Sequence, residues 1–168
     1  MPGYTSFRVQ LIDIKWDIKV SQSICAECGA THVDGQTCRD DFHQMLFWEN
    51  EDPARGVVHH LMVLCYHLQH PSLYSREGLA YARALLAEFV ERGLSPAEVR
   101  NQNREQVASG NRSWSITARP GNQGVYERPV KWTMTAGDVV AGGAEDYCEN
   151  VQAWARAVYQ SLTTEKID

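Results

Sequence analysis

Residues 151–162, with the sequence VQAWARAVYQSL, contain the clearest structural pattern in the chain. Apolar residues recur at intervals of three and four along this stretch, which places them on one face of an α-helix. A helix with one apolar face has to pack against other elements, so the stretch predicts a helical core. The positions on this face are Val151, Trp154, Ala155, Val158, Tyr159 and Leu162.

Helix-capping residues predict further helices upstream of this stretch. Two of the N-cap residues precede a proline, which suits the first position of a helix. The second of these helices should end at His70, because Pro71 disfavours helical backbone at the residue before it. We therefore expect four helices within residues 37–109 and further helices within 135–162. The N-cap residues are Thr37, Asp52, Ser75, Ser95 and Thr135.

The remaining segments lack a helical period. Residues 7–20 alternate between apolar and polar side chains with one slip in phase, which predicts a strand with a β-bulge near Leu11. Residues 25–35 contain small residues and glycines and indicate turns, and residues 110–131 indicate a long loop on the helices. The expected fold is mainly α: a single domain over 1–168, built as a helical bundle with minor β structure and a small N-terminal zinc-knuckle segment at 20–38.

Composition limits the classes of function. The chain has 168 residues, and 16 Lys and Arg residues against 21 Asp and Glu residues give it a net charge of −5. This acidic balance disfavours a general nucleic-acid or anionic-membrane binder, which needs clustered basic residues. No apolar run reaches the length of a spanning helix, and the first residues do not resemble a signal peptide. We therefore expect a cytoplasmic protein whose five cysteines stay reduced.

Three of the five cysteines suggest a metal site. Cys25 and Cys28 are separated by two residues, a spacing at which two thiolates can bind one zinc ion. Gly29 follows them and permits the positive φ that such a tight turn favours. A tetrahedral site needs two more ligands, and Cys38 is the nearest sulfur candidate. Six histidines supply the remaining candidates: His32, His43, His59, His60, His67 and His70.

Helix geometry ranks these histidines. If the first two helices form an antiparallel hairpin, the start of the first lies beside the end of the second. Cys38 would then lie near residues 65–70, so the predicted zinc ligands are Cys25, Cys28, Cys38 and His70, with His67 as a substitute. His59 lies about 16 Å from His70 along the helix axis, too far to share an ion. It could instead pair with an acidic residue such as Glu49, although a hydrogen-bonded boundary histidine is the more common case.

The number of ligands separates the possible uses of the metal. Four protein ligands would make a closed structural zinc site, whereas three would leave a position at which zinc can activate water. Glu27 or Asp41 is the candidate base in that second case. A cysteine pair without metal remains possible, whereas a redox pair is disfavoured because no helix begins at the first cysteine. Cys65 and Cys148 are expected to be inert thiols.

Several motifs together resemble an uncharacterised bacterial domain family. They are Cys25-x-x-Cys28-Gly29-Ala30, Cys38-x-x-x-Phe42, Val58-His59 and Gln69-His70-Pro71, with Trp132-Thr133-x-Thr135 and Trp154-Ala155 near the end. The resemblance implies a shared fold and a metal site, but no reaction. The resemblance includes His59 as well as His70, but the distance between these two residues along the helix axis is too large for both to bind one ion. Either His59 has a second role, or the helix that carries it is bent or placed differently.

Three functions follow as hypotheses. The first is a zinc-stabilised helical protein in which structural zinc supports a surface, formed by residues 110–131, that binds a protein or small-molecule partner. The second is a zinc-dependent hydrolase of a small amide or ester, with an open metal position and zinc on Cys25, Cys28 and either His70 or His59. The third and weakest is a nucleic-acid-binding zinc knuckle. Its basic residues would be Arg100, Arg104, Arg112, Arg119, Arg128 and Lys131.

Overall fold

The fold is mainly helical, as the sequence predicts. The computed structural model of the chain describes residues 21–110 and 113–164. These residues form six α-helices and one two-stranded antiparallel sheet. The strand and β-bulge predicted within residues 7–20 lie outside the described residues. No helix in the described ranges combines the length and the apolar character that crossing a membrane requires.

The elements follow one another with short connections except before the fifth helix. Two 3-10 helices, Pro53–Val58 and Pro71–Leu73, precede the second and third α-helices. The sheet consists of β1 (Gln22–Ile24) and β2 (Thr31–Val33). The helices are α1 (Cys38–Glu51), α2 (His59–Gln69), α3 (Arg76–Val90), α4 (Pro96–Ala108), α5 (Ala136–Ala141) and α6 (Tyr147–Thr164).

The predicted capping residues begin the helices. Thr37, Ser95 and Thr135 each form a capping box with the acidic residue three positions later. Asp52 caps a 3-10 helix rather than the first turn of an α-helix, and α geometry begins only at His59. Gly56 and the two valines that follow it have low helix propensity, which accounts for this delayed start.

The segment around the cysteines is more regular than the sequence indicates. It contains a hairpin in which Gln22 pairs with Val33 and Ile24 pairs with Thr31, whereas turns alone were expected. The turn between the strands is closed by hydrogen bonds from the amide of Cys25 to the carbonyl of Ala30 and from Gly29 to Cys25. Strands of three residues are too short to give a recognisable alternation.

The core lies between α2, α3 and α6. α6 buries the apolar face predicted for residues 151–162, with Val151, Trp154 and Val158 fully enclosed. It packs against α2 and α3, and α5 covers part of α1. α2 is buried on most sides, which fits its central place among the helices.

α1 and α2 form the antiparallel hairpin on which the predicted site depends. The ring of Phe42, near the start of α1, lies 4.5 Å from that of Tyr66 near the end of α2. At the other end, Glu49 of α1 contacts His59 of α2. The start of α1 therefore lies beside the end of α2.

The segment before α5 runs along the start of α3. Isolated bridges pair Tyr74 with Thr117 and Ser75 with Gln123. Gly78 allows this close approach, because a Cβ atom there would lie 2.4 Å from the carbonyl oxygen of Ile116. This segment and α3 together form one face of the molecule.

Candidate metal centre

Four side chains meet at the open end of the α1–α2 hairpin. The ligand atoms of Cys25, Cys28, Cys38 and His70 all lie within 4.8 Å of one another. The sulfurs of Cys28 and Cys38 are 3.3 Å apart, and the sulfur of Cys25 is 3.6 Å from Nε2 of His70. Donors in a tetrahedral zinc site lie about 3.5–3.8 Å from one another, so a small contraction or expansion would fit these residues around one ion. The structure thus brings together the four residues predicted as ligands.

Three elements supply these donors. Cys25 and Cys28 lie in the turn of the β1–β2 hairpin, where Gly29 adopts a φ of 75°. Cys38 is the first residue of α1, so the capping box at its N-terminus sets the position of its sulfur. His70 is the C-cap of α2, at the helix end imposed by proline. Any ion held here would join the hairpin to both helices.

The backbone orients the ring of His70. Its Nδ1 lies 2.6 Å from the carbonyl oxygen of Tyr66, which requires that Nδ1 carry the proton and donate it. In the neutral ring Nε2 therefore carries the lone pair, and this atom faces the cysteines. The ring also stacks on that of Tyr66, with centroids 4.4 Å apart. A metal-binding histidine is typically held in this way.

His32 is a member of the site that the sequence argument does not select. It is the one buried residue of β2, and its Nε2 lies 3.2 Å from the sulfur of Cys38. Its Nδ1 lies 3.8 Å from a carboxylate oxygen of Asp41. His32 can therefore support the thiolate of Cys38 from outside the group of four. The side chain of His32 points inward because of the strand register, and turns alone, as expected from the sequence, have no such register.

Hydrogen bonds within the cluster shift the pKa values of its thiols and of His70 in different directions. The hydrogen bond with Cys38 lowers the pKa of the Cys28 thiol to about 4, although burial opposes this, and the same bond raises the pKa of Cys38. Burial lowers the pKa of His70, but hydrogen bonds with Cys28 and with the carbonyl of Tyr66 outweigh it and raise the pKa to about 9. A metal ion would displace the protons that these groups share.

Glu27 attaches the cysteine turn to the end of α2. Its carboxylate accepts hydrogen bonds from the amide and hydroxyl of Ser72, at 3.1 and 3.0 Å, within the 3-10 helix that follows His70. Its main-chain carbonyl accepts a hydrogen bond of 3.1 Å from the indole of Trp132. Glu27 therefore has a positioning role at both its side chain and its backbone.

A cavity of about 360 Å³ opens beside the cluster. It reaches Cys25, Cys38 and His70, and Cys25 is only half-buried. Neither Glu27 nor Asp41, the two candidate bases, lines this cavity. Burial raises the pKa of Asp41, and its Oδ2 has no hydrogen-bond partner among the described residues.

A family of unknown function (DUF5946) matches residues 23–163, a range that contains all four candidate ligands and extends to the end of α6. The chain belongs to this family. This confirms the resemblance to an uncharacterised domain family. No curated protein and no solved structure matches the chain. The family description names no reaction, so function has to be argued from the site.

His59, which the resemblance included, has a separate place in the structure. Its Nδ1 lies 2.5 Å from Oε2 of Glu49, as the pairing across the hairpin predicts, and Oε1 of Glu49 accepts a hydrogen bond of 2.8 Å from Tyr147. His59 and the cluster thus lie at opposite ends of α2, so His59 lies outside the cluster, as the axial distance to His70 predicts. His67 also stays outside the cluster, with its ring against that of Tyr74.

Gln69 explains another part of the sequence motif that ends α2. It is fully buried; its amide nitrogen donates to the carbonyl of Met134 at 2.7 Å, and its amide oxygen accepts from the indole of Trp154 at 3.2 Å. Gln69 thereby joins α2 to α6 and to the segment before α5, while His70 faces the cysteines. Three consecutive residues of this family member, Gln69-His70-Pro71, thus have three separate structural roles.

The basic residues considered for nucleic-acid binding are divided between α4 and the segment before α5, which also contains Lys131. Arg100 and Arg104 belong to α4, whereas Arg119 lines a cavity with Glu77, and Arg128 lines a different cavity beside α3. Arg112 lies outside the described residues.

Proposed function

We propose that Cys25, Cys28, Cys38 and His70 bind one zinc ion in a closed structural site, and that this site supports a surface that binds a protein or small-molecule partner. The observation that carries the proposal is the meeting of four donors from three elements within 4.8 Å. Three thiolates and one imidazole are a common ligand set for structural zinc.

The donor count favours a structural over a catalytic ion. Four protein donors complete a tetrahedron and leave no position for water. A hydrolase would also need a base near the open position. Glu27 is bound to Ser72, and Asp41 faces His32, so neither is placed for that role.

Contacts from the cysteine turn to the segment before α5 indicate how the zinc would support a surface. The indole of Trp132 donates to the carbonyl of Glu27, and its ring packs edge-on against Tyr126 at 5.9 Å. The hydroxyl of Tyr126 in turn donates to the carbonyl of Leu68 at 2.8 Å. Zinc on Cys28 would hold Glu27 in place, and through it the stretch from Tyr126 to Trp132.

Metal content and the zinc coordination shell test the proposal. Purified protein should contain about one zinc ion per chain, and X-ray absorption should find about three sulfur neighbours near 2.3 Å and one nitrogen near 2.0 Å. A matched measurement on Cys148→Ser should give the same result, since Cys148 lies outside the cluster. Protein that folds fully without metal would contradict the proposal.

The hydrolase remains the second candidate because Cys25 is half-buried beside the cavity. If water took the place of one thiolate, either that of Cys38, as in the ligand set expected from the sequence, or that of the half-buried Cys25, zinc would have two sulfur neighbours and an open position. An absorption spectrum with two sulfurs and one oxygen would support this candidate over the structural one.

A further inference from the structure

A large cavity lies between α3 and the segment before α5. Its volume is about 690 Å³, and none of the four candidate metal ligands lines it. We call it the arginine cleft and define it by Arg76, Arg83, Arg128, Tyr126, Leu79 and Leu162. Its volume is in the range of sites for small organic ligands.

Helix geometry directs two of the arginines into the arginine cleft. Arg76, Leu79 and Arg83 follow one another along α3 at intervals of three and four, so they lie on one face of the helix. The two arginines are about 10 Å apart along the axis, with buried Leu79 between them. Arg128 approaches from the opposite wall, so positive charge surrounds an apolar floor.

The charges of the arginine cleft are not neutralised within the protein. Arg55 and Arg92 form ion pairs with acidic residues on their own turns, whereas Arg76, Arg83 and Arg128 form none within residues 21–110 and 113–164. Arg83 instead lies over the ring of Tyr126, at 5.9 Å. The only carboxylate among the residues that line the cleft is that of Glu127, which is exposed. A positive cleft in a chain with a net charge of −5 indicates a specific requirement for an anion.

We propose that the arginine cleft binds a small organic anion, in which a phosphate or carboxylate group is joined to a flat apolar body. Guanidinium groups bind both kinds of oxyanion through paired hydrogen bonds. Tyr126 and the leucines would contact the apolar body. The inference deepens the proposed ligand-binding role of this surface and rests on it, but it does not require that the metal be zinc.

Four probes test the proposal on the purified 168-residue protein with whatever metal it contains: phenyl phosphate, benzoate, inorganic phosphate and benzyl alcohol. We expect phenyl phosphate or benzoate to bind measurably by calorimetry, about fivefold or more tighter than inorganic phosphate, while benzyl alcohol does not bind. Comparison of the first two probes shows which oxyanion the cleft prefers. Amide shifts in NMR spectra should change first around Arg83 and Tyr126.

Substitutions of single arginines identify where the anion binds. Arg83→Gln should weaken binding about tenfold or more, because a charge-assisted hydrogen bond is lost. Arg104→Gln is the matched control, since Arg104 is exposed on α4 and outside the cleft, and it should leave affinity unchanged. The proposal would be overturned if the two variants lost equal affinity, or if the amide shifts were confined to other surfaces. It would also be overturned if no organic anion bound.

The same experiment separates this inference from the proposed zinc site. If the protein contains no zinc but the anion binds and depends on Arg83, the zinc proposal fails and the cleft proposal stands. If zinc is present and no anion binds, the cleft proposal fails alone. Binding of single-stranded nucleic acid with a higher affinity than any small anion would also overturn it.

Discussion

The two ends of the α1–α2 hairpin are held together by different chemistry. At one end, Glu49 accepts hydrogen bonds from Tyr147 and contacts His59, and Tyr147 is fully buried against the core. At the other end, three thiols and His70 meet beneath a hairpin with three-residue strands. The first end is stabilised by side chains of the protein alone, whereas the proposed zinc site makes the second depend on an ion bound by the thiols.

The difference in burial explains why the second end would gain stability from the proposed ion. All three residues of β1 are exposed, with Ile24 73% exposed, and β2 buries only His32. Such a hairpin removes little apolar surface from water, and an isolated two-stranded hairpin is at best marginally stable. A metal that joins the cysteine turn to both helices would supply the missing stabilisation.

The largest expected effect comes from removal of one ligand. Cys28→Ser should abolish stoichiometric zinc binding and lower the free energy of unfolding by about 3 kcal/mol or more, because the structural ion is lost. Zinc analysis and thermal denaturation measure this. Cys148→Ser should retain zinc and nearly full stability, since Cys148 is half-buried and lies outside the cluster. An unchanged melting temperature in Cys28→Ser would show that the cluster end of the hairpin is not stabilised by an ion.

Gln69 joins the cluster end of α2 to α6 and to the segment before α5, and its replacement should have the next largest effect. Gln69→Leu keeps the volume but leaves the indole of Trp154 and the carbonyl of Met134 without their partner. We expect a loss of about 2–4 kcal/mol in the free energy of unfolding, measured by urea denaturation. Zinc content should remain about one per chain. Gln106→Leu, at an exposed position of α4, is the control and should change stability little.

Tyr147→Phe tests the end that does not depend on metal. The variant removes the hydroxyl that donates to the nearly buried carboxylate of Glu49, which should cost about 1–2 kcal/mol. The loss should be the same in the presence and absence of a zinc chelator. Tyr159→Phe is the matched control, because Tyr159 donates to Glu91 at the exposed surface, and its loss should be within about 0.5 kcal/mol. A loss at Tyr147 that appears only with zinc would contradict the separation of the two ends.

The sequence predicts the helices better than it predicts the contacts around the cluster. Helix starts are specified locally: Thr37 and Asp40, three residues apart, set the start of α1 without help from distant residues. One topological assumption, the antiparallel hairpin, then suffices to bring Cys38 to His70 and to separate His59 from both.

The contacts that the sequence does not predict join residues that lie far apart in the chain. Glu27 contacts Ser72 and Trp132, which lie 45 and 105 residues away, and no local pattern indicates either contact. His32 reaches Cys38 only because of the register of a hairpin too short to be recognised. The arginine cleft likewise joins α3 to Arg128, about fifty residues later in the chain.

The smallest expected effect concerns His60, which follows His59, the residue that contacts Glu49. Burial is the main cause that lowers its pKa to about 4 from the ordinary 6.5, with further contributions from His59 and Arg100, and its Nε2 has no partner among the described residues. Between these two pH values the unfolded chain binds a proton that the folded chain does not. Stability should therefore be fully present above pH 6.5 and fall as the pH decreases toward 4.

His60→Leu should remove this part of the pH dependence. The variant should gain on the order of 1 kcal/mol relative to the unmodified protein at pH 5.5, and less at pH 8, in urea denaturation at both values. The difference between the two proteins cancels any acid-induced loss of zinc, because both keep the cluster. His43→Leu is the control, since His43 is exposed on α1. If His60→Leu gains nothing at pH 5.5, the burial of His60 carries no proton-linked cost and this prediction is wrong.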